Sequence, residues 1–319
     1  MSETGSQRHK RASSVSLSDT SDLSQSMSKR SFSAVLYDYL ILLKPSIIVL
    51  LLITTVPAMI LANDAWPDAW LVIATLIGGI LAAGGAGAAN MYIDRDIDKI
   101  MVRTRSRPLP AGRIPARHAA IAGWSMGTAS GVWLVLTVNI LSAVLAVSAF
   151  FFYVVVYSMW LKRTTVHNTV LGGIAGAAPP LIGWAAVTGS IDWTSALLFL
   201  VVFAWQPPHF WALALLLADD YRDANVPMLP AVRDEGETKY HTLIWSMLTA
   251  AVTLALGITA RLGALYFAIA TIGGIGLIVV AWRLYRTPGV EMAPVMFRYS
   301  TIYLALLFGS MAADRLLFD

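Results

Sequence analysis

Asn90, Asp94 and Asp98, set four residues apart, carry the most chemistry in this sequence. On a helix, side chains at i, i+4 and i+8 lie along one face. Two carboxylates one turn apart repel each other modestly, so a cation belongs between them. Their oxygens are hard ligands that favour Mg2+, an ion that keeps several waters and bridges carboxylates to phosphate oxygens. Lys99, Arg103, Thr104, Arg105 and Arg107-Pro108-Leu109 follow directly, and an arginine can grip a diphosphate through paired hydrogen bonds. A second cluster, Asp219-Asp220-Tyr221-Arg222-Asp223, repeats the i, i+4 spacing at Asp219 and Asp223. A single Asp pair is ordinarily a solvated charge. Two acidic clusters, each with cations beside it, point to a metal–diphosphate site.

The elements that must position these clusters are membrane helices. Of 319 residues, 57% are hydrophobic and 13% charged, where a soluble domain carries about 25% charge. That excludes an ordinary soluble globule, a disordered chain and a nucleic-acid binder. With no cysteine, disulfides, thiol nucleophiles and Cys-ligated metals are excluded too. Nine apolar runs approach the roughly 20 residues that a spanning helix needs: 42–62, 69–91, 119–138, 140–160, 168–187, 194–217, 242–260, 263–284 and 297–316. The runs are continuous, so the fold class is an all-α polytopic membrane protein. With the N-terminus cytoplasmic, 21 of the 23 Lys and Arg residues fall in inside segments and only Arg261 and Arg315 outside. This asymmetry predicts a C-terminus on the outside. Both acidic clusters then end a span on the cytoplasmic side, four spans apart, in two topologically similar halves. Residues 1–36, Ser-rich and without an apolar core, are expected to form a disordered cytoplasmic tail; residues 37–319 form the membrane domain. The Arg and Ser content of the tail also fits a mitochondrial transit peptide, but Glu3, Asp19 and Asp22 count against it.

Asn90-x-x-x-Asp94-x-x-x-Asp98 followed by Arg103-Thr104-x-x-Arg107-Pro108-Leu109 resembles the first aspartate motif of the intramembrane prenyltransferases, the UbiA superfamily. The resemblance runs from about Leu40 to Leu307. Three further segments are similar to the haem-farnesylating branch of that superfamily. They are Met159–Arg163 with Gly172–Trp184, Trp205-Gln-Pro-Pro-His-Phe210, and Asp220-Tyr221 leading to Pro227-Met-Leu-Pro230. Lys44-Pro45 matches a family feature as well; Ser46 is assigned no role. The second motif of relatives keeps Asp-Tyr but often lacks the flanking acids, so Asp220 is the first choice of ligand there, with Asp219 and Asp223 behind it.

The resemblance implies that farnesyl diphosphate donates its prenyl group to a vinyl carbon of haem B, with water addition, to give haem O. It implies Mg2+ on Asp94, Asp98 and Asp220, with Asn90 at the rim and Arg103, Arg107, Lys162 and Arg163 neutralising the diphosphate. Tyr92, Tyr153, Tyr157 and Trp205 are candidates to face an allylic cation. His209, placed within the sixth span after Pro207-Pro208, which should kink it, is a candidate haem contact with Trp205; a structural hydrogen bond at the kink is the rival role. The implied setting is the lipid bilayer of a bacterial cytoplasmic membrane, with a haem A synthase or a terminal oxidase as the eventual user of the product. The alternatives are a superfamily member acting on a quinone precursor or chlorin, and a transporter, which would need charges at mid-span. A phospholipid alcohol transferase would need a Gly and an Ala-Arg after its first aspartates, and these are missing.

Overall fold

The computed structural model describes residues 31–317; the expected tail lies outside these, apart from its last six positions. Helix α1 (Phe32–Leu42) already begins at Phe32, so residues 32–36 are helical rather than part of a tail. It lies across the end of a bundle of helices: α2 (Pro45–Asn63), α3 (Ala69–Ile93), α5 (Ala116–Thr137), α6 (Ile140–Thr164), α7 (Asn168–Thr188), α8 (Trp193–Leu216), α11 (Glu235–Thr259), α12 (Ala264–Arg286) and α13 (Ala293–Leu317). Three short helices connect them: α4 (Arg95–Ile100), α9 (Ala218–Asp223) and α10 (Leu229–Val232). Among the described residues, eight helices are long and apolar enough to cross a membrane. The ninth, α2, is 19 residues with a shorter apolar part, Ile48–Asn63.

Small residues let these helices approach closely. A Cβ added to Gly85 of α3 would meet the Gly123 carbonyl of α5 at 2.8 Å, and one on Gly123 would meet Ala89 N at 2.7 Å. Gly183 of α7 stands in the same relation to the Thr55 carbonyl of α2, at 2.7 Å. The largest core cluster joins α8, α11, α12 and α13 through Trp205, Leu256, Tyr266, Leu277, Tyr303 and Phe308. The turns fall where the short gaps in hydropathy place them. Asn139 caps α6 by accepting from Ser142 N at 2.8 Å, and it donates to the Ala185 carbonyl of α7 at 2.8 Å.

Three local features differ from simple spanning helices, and each bears on the site. The chain bends at Asp94, which ends α3 and starts α4. The helical bonds Asp94 N to Asn90 O and Asp98 N to Asp94 O, both 2.8 Å, persist through the bend, so the three motif side chains keep a common face. The second half of α6, Phe152–Leu161, is a π-helix, a form that recurs at functional sites. Finally, α8 runs unbroken through Pro207 and Pro208 instead of ending or restarting there.

Candidate active site

The polar groups of the bundle concentrate at one end. There α4 packs on α9 and the segment after it through Ile97, Met101, Tyr221, Ala224, Val226 and Met228. This apolar seam brings the two acidic clusters together. Asp220 accepts from the backbone N–H groups of Val102 and Arg103, each at 3.3 Å, and so ties the second cluster to the loop that follows the first.

Asn90, Asp94 and Asp98 are all buried, none more than 3% exposed. Buried carboxylates need partners, and the cations are near. Asp98 takes both oxygens to Arg107 Nη1, at 3.1 and 2.9 Å. Asp94 Oδ2 accepts from Asn90 Nδ2 at 2.7 Å and from Lys162 Nζ. The Asn90 amide is saturated: Oδ1 accepts from Lys44 Nζ at 2.6 Å, and Nδ2 also donates to Ser158 Oγ at 2.9 Å. Lys44 occupies the corner between α1 and α2 with a left-handed backbone, φ 51°, a costly conformation for a residue with a Cβ. The corner seats on Gly87 of α3, where an added Cβ would lie 3.0 Å from the Leu42 carbonyl.

The π-helix supplies the opposite wall. Its i→i+5 repeat stacks residues four and five apart, and Tyr153, Ser158 and Lys162 all turn towards α3. Tyr153 and Tyr157 have ring centroids 5.3 Å apart, and Lys44 Nζ lies 5.9 Å from the Tyr153 centroid. Gly172 of α7 makes room for Tyr157, whose Cδ2 would sit 2.5 Å from an added Cβ. Above the site, α1 clasps the motif loop: buried Asp38 accepts from Arg113 Nε at 3.0 Å, and Tyr39 Oη pairs with His118 Nδ1 at 2.7 Å.

The structure gathers Asn90, Asp94, Asp98, Arg107, Lys162, Tyr153 and Tyr157, with Asp220 at the edge. Others stand apart. Asp219 is exposed and paired to Arg222 within its own turn, and Asp223 is exposed. The Arg103 side chain is exposed. Arg163 stands between the two groups: it bonds both oxygens of Asp96 at 2.8 Å, which holds that carboxyl below its usual range, and it also pairs with Asp94 Oδ1 at 3.8 Å. Arg95, not the motif, covers Tyr92, at 4.4 Å from its ring. Trp205 is 1% exposed and donates Nε1 to the Ser300 carbonyl of α13 at 2.7 Å, so its ring is committed to the core. His209 is sandwiched between Trp205 and Phe297, with centroids at 4.4 and 4.3 Å, and its Nδ1 meets Ser300 Oγ at 2.9 Å. Lys44 and Ser158 carry no role in the sequence reading. The clues to Lys44 are its place at the boundary of an apolar run and the match of Lys44-Pro45 to the family pattern; Ser158 gives none.

One atom marks where a metal fits. Asp94 Oδ1 is buried and accepts no hydrogen bond; Arg163 Nη2 lies 3.8 Å from it. Such an orphan in a native core calls for an explanation, an ion among them. Among the described residues no three of His, Cys, Asp or Glu cluster closely enough to hold a metal by themselves. That suits Mg2+, which uses one or two carboxylates together with substrate phosphates.

A buried carboxylate pair ringed by Lys and Arg thus lies at one end of an α-helical membrane bundle. The profile of the UbiA prenyltransferase family matches residues 51–308, and the chain belongs to that family. Curated relatives are more specific. A protoheme IX farnesyltransferase from Symbiobacterium thermophilum is 48% identical over 88% of this chain and 94% of its own. One from Gloeobacter violaceus is 47% identical over 89% and 93%. Solved structures share the fold. A digeranylgeranylglyceryl phosphate synthase superposes with a TM-score of 0.74 at 18% identity, covering 89% of this chain and 99% of that one. A UbiA homolog from Archaeoglobus fulgidus bound to GPP and Mg2+ gives 0.60 at 13% identity, covering 86% and 99%.

Proposed function

We propose that this chain is a protohaem IX farnesyltransferase: it moves the farnesyl group of farnesyl diphosphate to a vinyl carbon of haem B and, with water, yields haem O and diphosphate. The observation that carries the reading is the convergence of Lys44, Arg107 and Lys162 on the buried Asn90, Asp94 and Asp98, in a chain nearly half identical to enzymes of that name.

Chemically, the C1–O bond of farnesyl diphosphate breaks and its electron pair leaves with the diphosphate oxygen. Arg107 and Lys162 are the counter-ions of Asp98 and Asp94 until the diphosphate arrives. They then turn to its oxygens, and the carboxylates are released to a metal. Asp94 and Asp98 are the carboxylates that would hold Mg2+ together with the diphosphate oxygens, with Asp220 a candidate ligand across the seam, and the ion would supply Lewis-acid neutralisation of the leaving group. Asn90 keeps Asp94 oriented. The faces of Tyr153 and Tyr157 stabilise the allylic cation, by about 0.5–2 kcal/mol each, while the bundle keeps bulk water away. The terminal vinyl carbon of haem B bonds to farnesyl C1. Water adds to the adjacent carbon and loses a proton, giving a hydroxyethylfarnesyl side chain. His209 and Trp205 are assigned to the frame that joins α8 to α13, since Trp205 Nε1 and His209 Nδ1 both bond to Ser300 and the His209 ring is stacked between Trp205 and Phe297.

The Lys and Arg asymmetry supports a cytoplasmic position for the site end, and the bacterial relatives support a bacterial cytoplasmic membrane as the setting. A haem A synthase or a terminal oxidase is the expected user of the product. The deciding experiment incubates detergent-purified protein with haem B, farnesyl diphosphate and Mg2+, with and without chelator, and resolves the haems by chromatography and mass. A Mg2+-dependent haem heavier by one farnesyl group plus water is expected. Prenylation of a quinone precursor with no new haem would overturn the acceptor assignment and leave the diphosphate site standing.

A further inference from the structure

Ser158 sits in the π-helical wall with no exposed surface. Its hydroxyl donates to the Tyr153 carbonyl five residues back, at 2.8 Å. That fixes the polarity of the group: with its proton committed, Oγ faces Asn90 as an acceptor, and Asn90 Nδ2 donates to it at 2.9 Å. The result is a directed chain, from Asn90 through Ser158 to the Tyr153 carbonyl. The second Nδ2 proton goes to Asp94 Oδ2 and the Asn90 oxygen goes to Lys44, so every polar atom of the amide is used.

Removing Oγ would leave one Nδ2–H buried without an acceptor, which is costly. The free oxygen nearest in the same network is Asp94 Oδ1, the atom that accepts no hydrogen bond. An Asn90 released from Ser158 can tilt its second N–H onto that atom and so compete with a cation for it. We propose that Ser158 is a positioning residue for the transfer reaction: acting through Asn90, it keeps Asp94 Oδ1 open for the divalent ion. The inference rests on the metal–diphosphate reading above. The i→i+5 geometry of the π-helix places the Ser158 hydroxyl on the Tyr153 carbonyl and its lone pair on Asn90.

The test measures Mn2+ binding to the purified full chain by electron paramagnetic resonance, in the presence of the unreactive S-thiolo analogue of farnesyl diphosphate. Outer-shell changes of this kind weaken metal affinity by about 10–100-fold. Ser158→Ala is expected to raise the Mn2+ dissociation constant about tenfold, with the affinity for haem B unchanged. Ser158→Thr, which keeps the oxygen, is expected to bind as the wild type does. Ser158→Cys, close in size and a weak acceptor, should match Ser158→Ala and serves in its place if that variant fails to fold, which thermal unfolding reports. In an Asn90→Ala background, Ser158→Ala should cause no further loss. Unchanged Mn2+ affinity in Ser158→Ala, or losses that simply add in the double variant, would overturn the role of Ser158 alone. A wild type that makes haem O without binding Mn2+ would overturn the metal reading and this inference with it.

Discussion

Lys44 Nζ and Asn90 Oδ1 are 2.6 Å apart, a contact between the corner before the first long helix and the polar end of the second. It joins a cation that pairs with no carboxylate among the described residues to the amide that also grips Asp94. A hydrogen bond to a charged group contributes about 1.5–3 kcal/mol. Lys44→Met keeps the length of the side chain and removes the charge. It is expected to lower kcat/KM for farnesyl diphosphate by about 10–100-fold with little change in the KM for haem B. Steady-state kinetics with each substrate varied in turn will check this, and an equal loss on both substrates would assign Lys44 to folding instead.

The three aspartates of the second cluster separate by environment. Asp220 reaches the loop of the first motif, whereas Asp219 and Asp223 face solvent. Asp219→Ala and Asp223→Ala should keep turnover within about twofold, because exposed pairs such as Asp219–Arg222 contribute about 0–1 kcal/mol. Asp94→Ala and Asp98→Ala should lose about a thousandfold, the equivalent of about 4 kcal/mol of transition-state stabilisation. Asp220→Asn tells charge from anchorage, since an amide keeps one oxygen for the loop N–H groups. Activity close to Asp220→Ala is expected. Near-normal turnover in Asp220→Asn would make Asp220 a loop anchor and remove it from the metal site.

Legibility in the sequence followed the range of the interactions. The first motif was readable because Asn90, Asp94 and Asp98 repeat at helical spacing, and the bend at Asp94 preserves that register. Span positions followed from hydropathy, and even the tight turns at Asn139 and Arg261 left gaps in it. The partners of the motif were harder to read. Ser158 lies 68 residues from Asn90 and reaches it through a π-helix, for which an apolar run such as Phe152–Leu161 has no distinctive pattern. Trp205 and His209 illustrate a different limit: unusual residues in a membrane helix suggest a ligand, and the sequence does not show the contact with Phe297 and Ser300 of a distant helix that also engages them. Likewise, the basic residues beside the motif do not act as one group: Arg107 turns to Asp98, while Arg163 goes to Asp96 and the Arg103 side chain points outward.

That contact makes a prediction about haem. The His209 ring is stacked on both faces and bonded at Nδ1. His209→Ala removes two stacked contacts and a hydrogen bond from the α8–α13 seam, a loss of about 3 kcal/mol by analogy with other large-to-small changes in cores. The melting temperature in detergent should fall by several degrees, while the Soret spectrum of added haem B stays that of the wild type. A shifted Soret band in a variant of unchanged stability would return His209 to the haem site.

Gly172 tests the aromatic wall. Its missing side chain leaves the space that Tyr157 fills, with Cδ2 2.5 Å from where a Cβ would stand. Gly172→Ala must push Tyr157 along the π-helical wall towards Tyr153, whose ring centroid is only 5.3 Å away. If the two rings face the allylic cation, the displacement acts on the transition state and leaves diphosphate binding intact. The expected result is a fall in kcat of about tenfold, corresponding to about 1.4 kcal/mol, with an unchanged KM for farnesyl diphosphate. Tyr157→Phe, which keeps the ring face, should retain most of the rate, and Tyr157→Leu should resemble Gly172→Ala. Equal rates for the Phe and Leu variants would show that the wall serves only to exclude water.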